Sequence, residues 1–199
     1  MELIAKEPKS KVSRTRLQRQ IRTATFIFAL SLIIVFFALV TLFNSSNQNS
    51  TWRTKALSAQ IALNQGQLET LVKSEKLTVF WAGPKVNSLY TLDASSSDRT
   101  VIRYVEVNHS KTSVLGSSRQ IATYKSENAY SDGIIAASSA GNIGFRNPDG
   151  AIVFYAANRL SNVYLAIPKI KYQIEIYDPI RGQALSLAAL TGQITRIGK

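Results

Sequence analysis

Val79-Phe-Trp-Ala-Gly-Pro-Lys-Val-Asn-Ser-Leu-Tyr90 and Val153-Phe-Tyr-Ala-Ala-Asn-Arg-Leu-Ser-Asn-Val-Tyr164 align over twelve positions without a gap. Val, Phe, Ala and Tyr recur at the same offsets, Trp81 faces Tyr155, and Lys85 faces Arg159. After each string comes an alternating segment, Val101–Val107 in the first copy and Tyr172–Asp178 in the second. In Tyr172-Gln-Ile-Glu-Ile-Tyr-Asp178, Ile174 and Ile176 fall on one face and Gln173 and Glu175 on the other, the period of a sheet with one wet side. Each copy next offers a helix closed by a similar short string, Gly141-Asn-Ile143 or Gly192-Gln-Ile194. Self-similarity at a fixed spacing marks a duplicated structural unit. The expected fold is therefore α+β: a mostly antiparallel sheet domain over 77–199, built from a β-β-β-α-β unit present twice (about 77–146 and 151–197) about a pseudo-two-fold axis.

Candidate strands are Leu77–Ala82, Leu89–Asp93, Val101–Val107, Gln120–Tyr124, Ile143–Arg146, Ala151–Ala156, Val163–Pro168, Tyr172–Asp178 and Gln193–Ile197. Asn147-Pro-Asp-Gly150 is turn chemistry, so 143–156 reads as a hairpin. Two helices are expected. One covers about Ser126–Ala140, with Tyr130, Ile134 and Ala137 inward; the other starts with Asp178 as N-cap and Pro179 at the first helical position, and ends before Gly192. Upstream, Thr51–Lys76 reads as two helical pieces, with Leu57 and Ile61 in one and Leu68, Leu71 and Val72 in the other. Gly66 is the expected weak point between them. With fewer than three apolar heptads, residues 44–76 read as a polar linker and helical stalk rather than a self-association helix.

Working towards the N-terminus, Ala24–Phe43 is twenty residues without a charge. A helix of that length matches a hydrocarbon core of about 30 Å, and a helix is the structure that satisfies its own backbone in lipid. Residues 1–22 carry seven basic and two acidic side chains, and none of residues 44–52 is basic. The positive-inside rule then places a basic tail (1–23) in the cytoplasm, a spanning helix through 24–43, and the rest outside. The apolar run is longer than the core of a typical cleaved signal peptide, and no small-residue cleavage site follows it. Of the chain's formal +12 (24 Lys+Arg against 12 Asp+Glu), the tail takes +5 and residues 44–199 keep +7. Orientation and contact with lipid headgroups account for the tail; no nucleic-acid fold signature accompanies the basic residues, so no nucleic-acid partner is expected.

Phe80-Trp-Ala-Gly-Pro84, Val163-Tyr-Leu-Ala-Ile-Pro168 and Gln173-Ile-Glu-Ile-Tyr-Asp-Pro179 resemble a family of bacterial single-pass membrane-anchored proteins. Its members share a Tyr-Trp-Ala-Gly-Pro string and a later Tyr-Leu-Ala-Tyr-Pro…Ile-Glu-Val-Tyr-Asp-Pro string. The resemblance spans roughly 77–199 and departs at Ile167, where the family has Tyr. No activity is assigned to that family, so no catalytic or binding residue is carried over. The resemblance implies a bacterial envelope setting.

The chemistry available is limited. The chain has no Cys and one His, which excludes disulfides, thiolate nucleophiles and His-rich metal sites. His109 has no Gly-x-Ser-x-Gly elbow to serve and reads as a loop residue. A hydrolase would need a carboxylate pair drawn from Asp93, Asp98, Glu106, Asp132, Asp149, Glu175 and Asp178. Asn44-Ser-Ser, Asn49-Ser-Thr and Asn108-His-Ser match the glycosylation triplet, which matters only in a eukaryotic secretory compartment. No phosphate-binding or calcium loop is present, and no cofactor is expected. The sequence thus points to a non-enzymatic, membrane-tethered binding or scaffolding protein with an envelope protein partner. Trp81, Gly83 and Pro84 are the candidate partner contacts. The alternative is recognition of an acidic envelope polymer or lipid headgroup through Lys85 and Arg159.

Overall fold

Ser88–Asp93 and Tyr172–Tyr177 alternate buried and wetter side chains, the pattern of strands with one face on a core. The computed structural model describes residues 50–107 and 118–198. The basic tail, the apolar run 24–43, two of the three glycosylation triplets' asparagines (Asn44 and Asn49) and the Asn108-His109 site lie outside the described residues. Trp52–Lys199 forms one unit of the chain. Its elements are α1 (residues 50–57), α2 (Gln65–Ser74), β1 (Phe80–Trp81), β2 (Ser88–Asp93), β3 (Arg99–Glu106), β4 (Gln120–Lys125), α3 (Ala129–Ser138), β5 (Asn142–Arg146), β6 (Ile152–Ala156), β7 (Asn162–Ala166), β8 (Tyr172–Tyr177), α4 (Gln183–Ala189) and β9 (Thr195–Arg196). The class is α+β, with every strand pairing antiparallel. Among the described residues no helix is long and apolar enough to cross a membrane.

Seven strands form one sheet in the order β2-β3-β4-β8-β7-β6-β5, and β1 and β9 form a separate two-stranded ribbon. One face of the large sheet is the core. Tyr90, Leu92, Ile102, Tyr104, Ile121, Ile174, Ile176, Val163, Leu165 and Val153 are buried there, joined by Leu68 and Leu71 of α2 and by Ala184 and Leu187 of α4. The other face is divided. Over β5–β7 it is covered by α3, with Ile152, Phe154 and Ala166 buried beneath it. Over β3, β4 and β8 its side chains line an open groove.

Residues 52–76, expected as a stalk, pack into the domain instead. Ala56, Leu63, Leu68, Leu71 and Val72 are all buried in the main core. Ser58 and Leu63 bridge to Asp93 and Tyr90, closing the outer edge of β2. That covers backbone groups an exposed edge strand would leave unpaired. The helical break falls at 58–64 rather than at Gly66, which lies inside α2. Asn64 and Gln67 form a capping box there: the Asn64 side chain accepts from the Gln67 amide (2.9 Å), and the Gln67 side chain accepts from the Asn64 amide (3.0 Å). Arg53 pairs with Glu75, tying α1 to α2.

Two helix expectations are also corrected. In α3 the buried positions are Ala129 and Gly133, with Tyr130, Ala136 and Ala137 half-covered; Ile134 points outward and is 41% exposed. Small residues win that face because α3 lies nearly on the sheet: a Cβ on Gly133 would stand 2.8 Å from Ala166 Cβ. α4 begins four residues later than its sequence signal, with Gly182 rather than Asp178 at the N-cap. The Asp178 carboxylate is taken by Arg119 Nε (2.7 Å) and by the Ile180 amide (2.9 Å), a tertiary partner that outcompetes the local cap.

Candidate functional site

The Trp-Ala-Gly-Pro string is held in place by two tyrosines. Trp81, 6% exposed, meets Tyr90 edge-on at 5.8 Å, and Tyr90 meets Tyr104 edge-on at 5.2 Å. The Tyr104 hydroxyl accepts from the Ala82 amide (2.9 Å) and donates to the Gly83 carbonyl (3.1 Å). The Tyr90 hydroxyl accepts from the Lys85 amide (2.9 Å). Gly83 sits at φ +70°, a conformation costly for any residue with a Cβ, so its identity is explained by the turn. Trp81 is a buried core aromatic, the structural reading that the matched Tyr155 also suggests. Burial pushes the Tyr104 hydroxyl far above the ordinary tyrosine range, as expected for a phenol that does structural bonding in the dry. The variant Y104F leaves a part-buried amide and carbonyl without their partner, and chemical denaturation should show a loss of about 1–3 kcal/mol.

Lys85 and Arg159 occupy the same end of the sheet but are not brought together. Lys85 precedes β2 and Arg159 precedes β7; four strand spacings separate those strands, about 19 Å. Lys85 Nζ is paired with Glu106 Oε1 at 2.8 Å, and Arg159 is exposed on the β6–β7 turn. A single anion cannot bridge the two.

What the sheet does assemble is a groove of about 310 Å³ on its open face. Val101 and Ala122, each 7% exposed, are its small apolar floor, side by side in the β3–β4 register. The adjoining position on β8 is Glu175, because Ala122 pairs with Glu175. Arg99 and Tyr124 flank the floor on one side, and Arg103, Gln120 and Tyr177 on the other. These residues lie on three strands and meet only because β4 and β8 are neighbours.

Glu175 is the most heavily engaged group in the groove. Its Oε1 accepts from Asn162 Nδ2 (2.9 Å) and from the Tyr164 hydroxyl (3.2 Å), and its Oε2 accepts from the Tyr124 hydroxyl (2.8 Å). Burial, reinforced by Glu175, pushes the Tyr124 hydroxyl up to about 12, and the same causes raise Tyr164. Both phenols therefore stay protonated donors at neutral pH. Arg99 pairs with Tyr124 across the β3–β4 register and lowers its hydroxyl slightly against the larger effect of burial, and Arg103 Nε donates to Gln120 Oε1 (3.2 Å), so the Arg103 guanidinium leans from β3 over β4. Asp93, on β2 beyond Val101, has its carboxyl held below the usual range mainly by the Ser95 hydroxyl (2.7 Å), with Arg103 and Arg99 adding to the effect.

This arrangement can bind and orient a polar ligand. Asp93 and Glu175 lie three strand spacings apart, about 14 Å, outside the 5–10 Å that glycosidase carboxylates need. Among the described residues, no three of His, Cys, Asp and Glu gather closely enough to hold a metal ion. Two other hollows exist: an apolar one of about 280 Å³ beside α4 and β9, and one of about 480 Å³ near Lys76, Asp98 and Lys125. The groove over β3, β4 and β8 has its polar side chains fixed by hydrogen bonds across neighbouring strands, the preorganisation that binding sites require. Sequence reasoning placed Glu175 on the wet side of its strand but had no means of finding its partners. No family model, curated protein or solved structure matches this chain.

Proposed function

We propose that this chain is a non-enzymatic binding protein of the bacterial envelope, tethered by a spanning helix over 24–43, with its C-terminal domain outside the membrane. The anchor rests on the twenty uncharged residues and the basic tail before them. The binding role rests on one observation: the open sheet face where Arg99, Arg103, Tyr124 and Glu175 surround a floor of Val101 and Ala122. The acidic-polymer alternative finds less support. Lys85 is neutralised by Glu106, and the groove matches its two guanidinium groups with Glu175 and Asp93.

The same proposal includes duplication of the β-β-β-α-β unit. The first strand of each copy pairs with the last strand of the other, β1 with β9 and β6 with β5. Hairpins β2-β3 and β7-β8 flank β4, with β3 and β8 both antiparallel to it. An axis along β4 exchanges these hairpins and inverts the faces of the sheet. In keeping with that, the matched Tyr90 and Tyr164 belong to opposite faces, as do α4 and α3. The copies diverge at β1, because Ser58 and Leu63 occupy the β2 edge that corresponds to the β7 edge held by β6.

The test is to fill the groove. A122W places an indole on its floor, facing away from the main core. Affinity capture from detergent-solubilised membranes with full-length wild-type protein should recover a ligand that A122W loses, with thermal unfolding changed by only a few degrees. Undiminished capture by A122W counts against the groove. A second surface is carried by a separate observation: Ile143 and Phe145 on edge strand β5, on the face away from α3, are 44% and 38% exposed. A protein partner adding to that edge would be lost in F145K and retained in A122W.

A further inference from the structure

We infer that the groove recognises a small zwitterion, a short peptide with a free amino and a free carboxyl terminus, its ammonium on Glu175 and its carboxylate on Arg99 and Arg103. This rests on the groove being the ligand site and goes further by assigning the ligand's chemistry. The argument is one of charge held apart. On the β2–β3 side, two guanidinium groups face one carboxylate, Asp93, which leaves a net positive charge there. On β8, Glu175 is the only carboxylate among the groove's lining residues. β3 and β8 are two strand spacings apart, about 10 Å. A dipeptide spans about 7 Å between its charged ends, and the long side chains of Arg99 and Arg103, both in the groove's lining, make up the difference, Arg103 reaching over β4 to Gln120.

The local chemistry agrees at both ends. A carboxylate has about four acceptor positions, and three on Glu175 are filled, two on Oε1 and one on Oε2. One position remains for an ammonium hydrogen on Oε2, the oxygen that Tyr124 engages. The rings of Tyr124 and Tyr177, also in the lining, offer π faces to the same cation. At the other end, Arg103 is tied through Nε to Gln120, and Arg99 lines the groove beside Tyr124. Five donors per guanidinium leave a pair free to bind a carboxylate in two-pronged fashion. Purely anionic ligands would meet Glu175 at close quarters, and purely cationic ones would meet two arginines. A neutral sugar would cover the charges at both ends without neutralising either, a costly outcome. The volume of about 310 Å³ is at the small end for ligand sites, which favours one or two residues over a polymer.

The probe is alanyl-alanine, titrated into the full-length protein in detergent micelles carrying labelled tyrosine, with ring resonances of Tyr124, Tyr164 and Tyr177 as readout. The N-acetylated dipeptide, the dipeptide amide and a neutral disaccharide are titrated alongside. Free alanyl-alanine should shift the three rings, and blocking either terminus should weaken binding at least tenfold. E175Q, which keeps the side chain's shape, should weaken the free dipeptide at least tenfold and leave the N-acetylated form unchanged. R103Q should weaken the free dipeptide and leave the amide unchanged. Equal affinity for free and blocked peptides overturns the inference, as does a free dipeptide that moves none of the three rings. A disaccharide that alone moves these rings also overturns it while leaving the groove as the binding site. Loss of the groove reading itself is reported separately, by capture that survives A122W.

Discussion

Replacing Asp178 with alanine should destabilise the domain by about 3–5 kcal/mol, a large share of the 5–15 kcal/mol typical of a domain. The Asp178 side chain is 3% exposed and that of Arg119 13%, so the 2.7 Å pair between them is largely out of water. Arg119 also lies 5.5 Å from the centre of the Tyr104 ring, and its carbonyl accepts from the Tyr104 amide (3.0 Å). Removing the carboxylate strands a guanidinium in that setting and also frees the Ile180 amide. The bond joins residues 59 apart in sequence: it fastens the end of β8 to the residue that leads into β4. Since β4 and β8 are the neighbours that assemble the groove, the loss should reach Tyr124 and Glu175 as well. Urea denaturation of D178A, D178N and the double variant R119M/D178L checks this. D178N keeps one acceptor oxygen, enough for either Arg119 or the Ile180 amide, and should lose less than D178A. The double variant removes both charges and should recover much of the loss, because an apolar pair has no stranded charge to desolvate. If D178A unfolds within 1 kcal/mol of wild type, the pair is solvated and the argument fails.

The strands that could be read from the sequence are those with one wet side. Ser88–Asp93, Arg99–Glu106 and Tyr172–Tyr177 alternate because Leu92, Ile102 and Ile174 face the core while Thr91, Arg103 and Glu175 do not. Strand order was beyond reach for a physical reason. Periodicity describes one strand at a time, whereas Glu175 meets Tyr124 and Asn162 only through sheet neighbours far apart in the chain. The Asp178-Pro179 capping signal was locally sound and was overridden by Arg119, which no local rule anticipates. Lys85 looked free because Glu106, 21 residues away, is brought beside it only by the β2–β3 hairpin. Residues 58–63 carry no alternation, so their two bridges to β2 left no trace in the pattern. The open groove follows from the division of labour between the helices. α4 packs on the core face, and α3 covers the opposite face at β5–β7, so neither helix covers that face over β3, β4 and β8.

That division depends on how closely α3 approaches β5, and Gly144 sets the distance. A Cβ at Gly144 would stand 2.3 Å from Ala137 Cβ and 2.6 Å from both Ala137 Cα and its carbonyl oxygen. Carbon atoms pack at about 3.5–4.0 Å, so G144A requires the helix backbone, not a flexible side-chain tip, to move by more than 1 Å. Small-to-large changes in packed sites cost about 1–3 kcal/mol, and G144A should reach or pass the upper end because the obstacle is main chain. The displacement has a direction. Lifting α3 off β5 loosens Phe154 and Ala166, and with them the Phe154–Tyr164 ring stack at 5.1 Å. Tyr164 is one of the three donors to Glu175, so the strain runs from a buried helix contact to the groove. The companion variant A137G/G144A restores the clearance to the Ala137 side chain and should recover part of the loss, while the backbone contact stays. Thermal unfolding of the two variants and the position of the Tyr164 ring resonance separate the outcomes. A G144A protein as stable as wild type, with Tyr164 unmoved, would mean that α3 does not seat against β5 at the distance described.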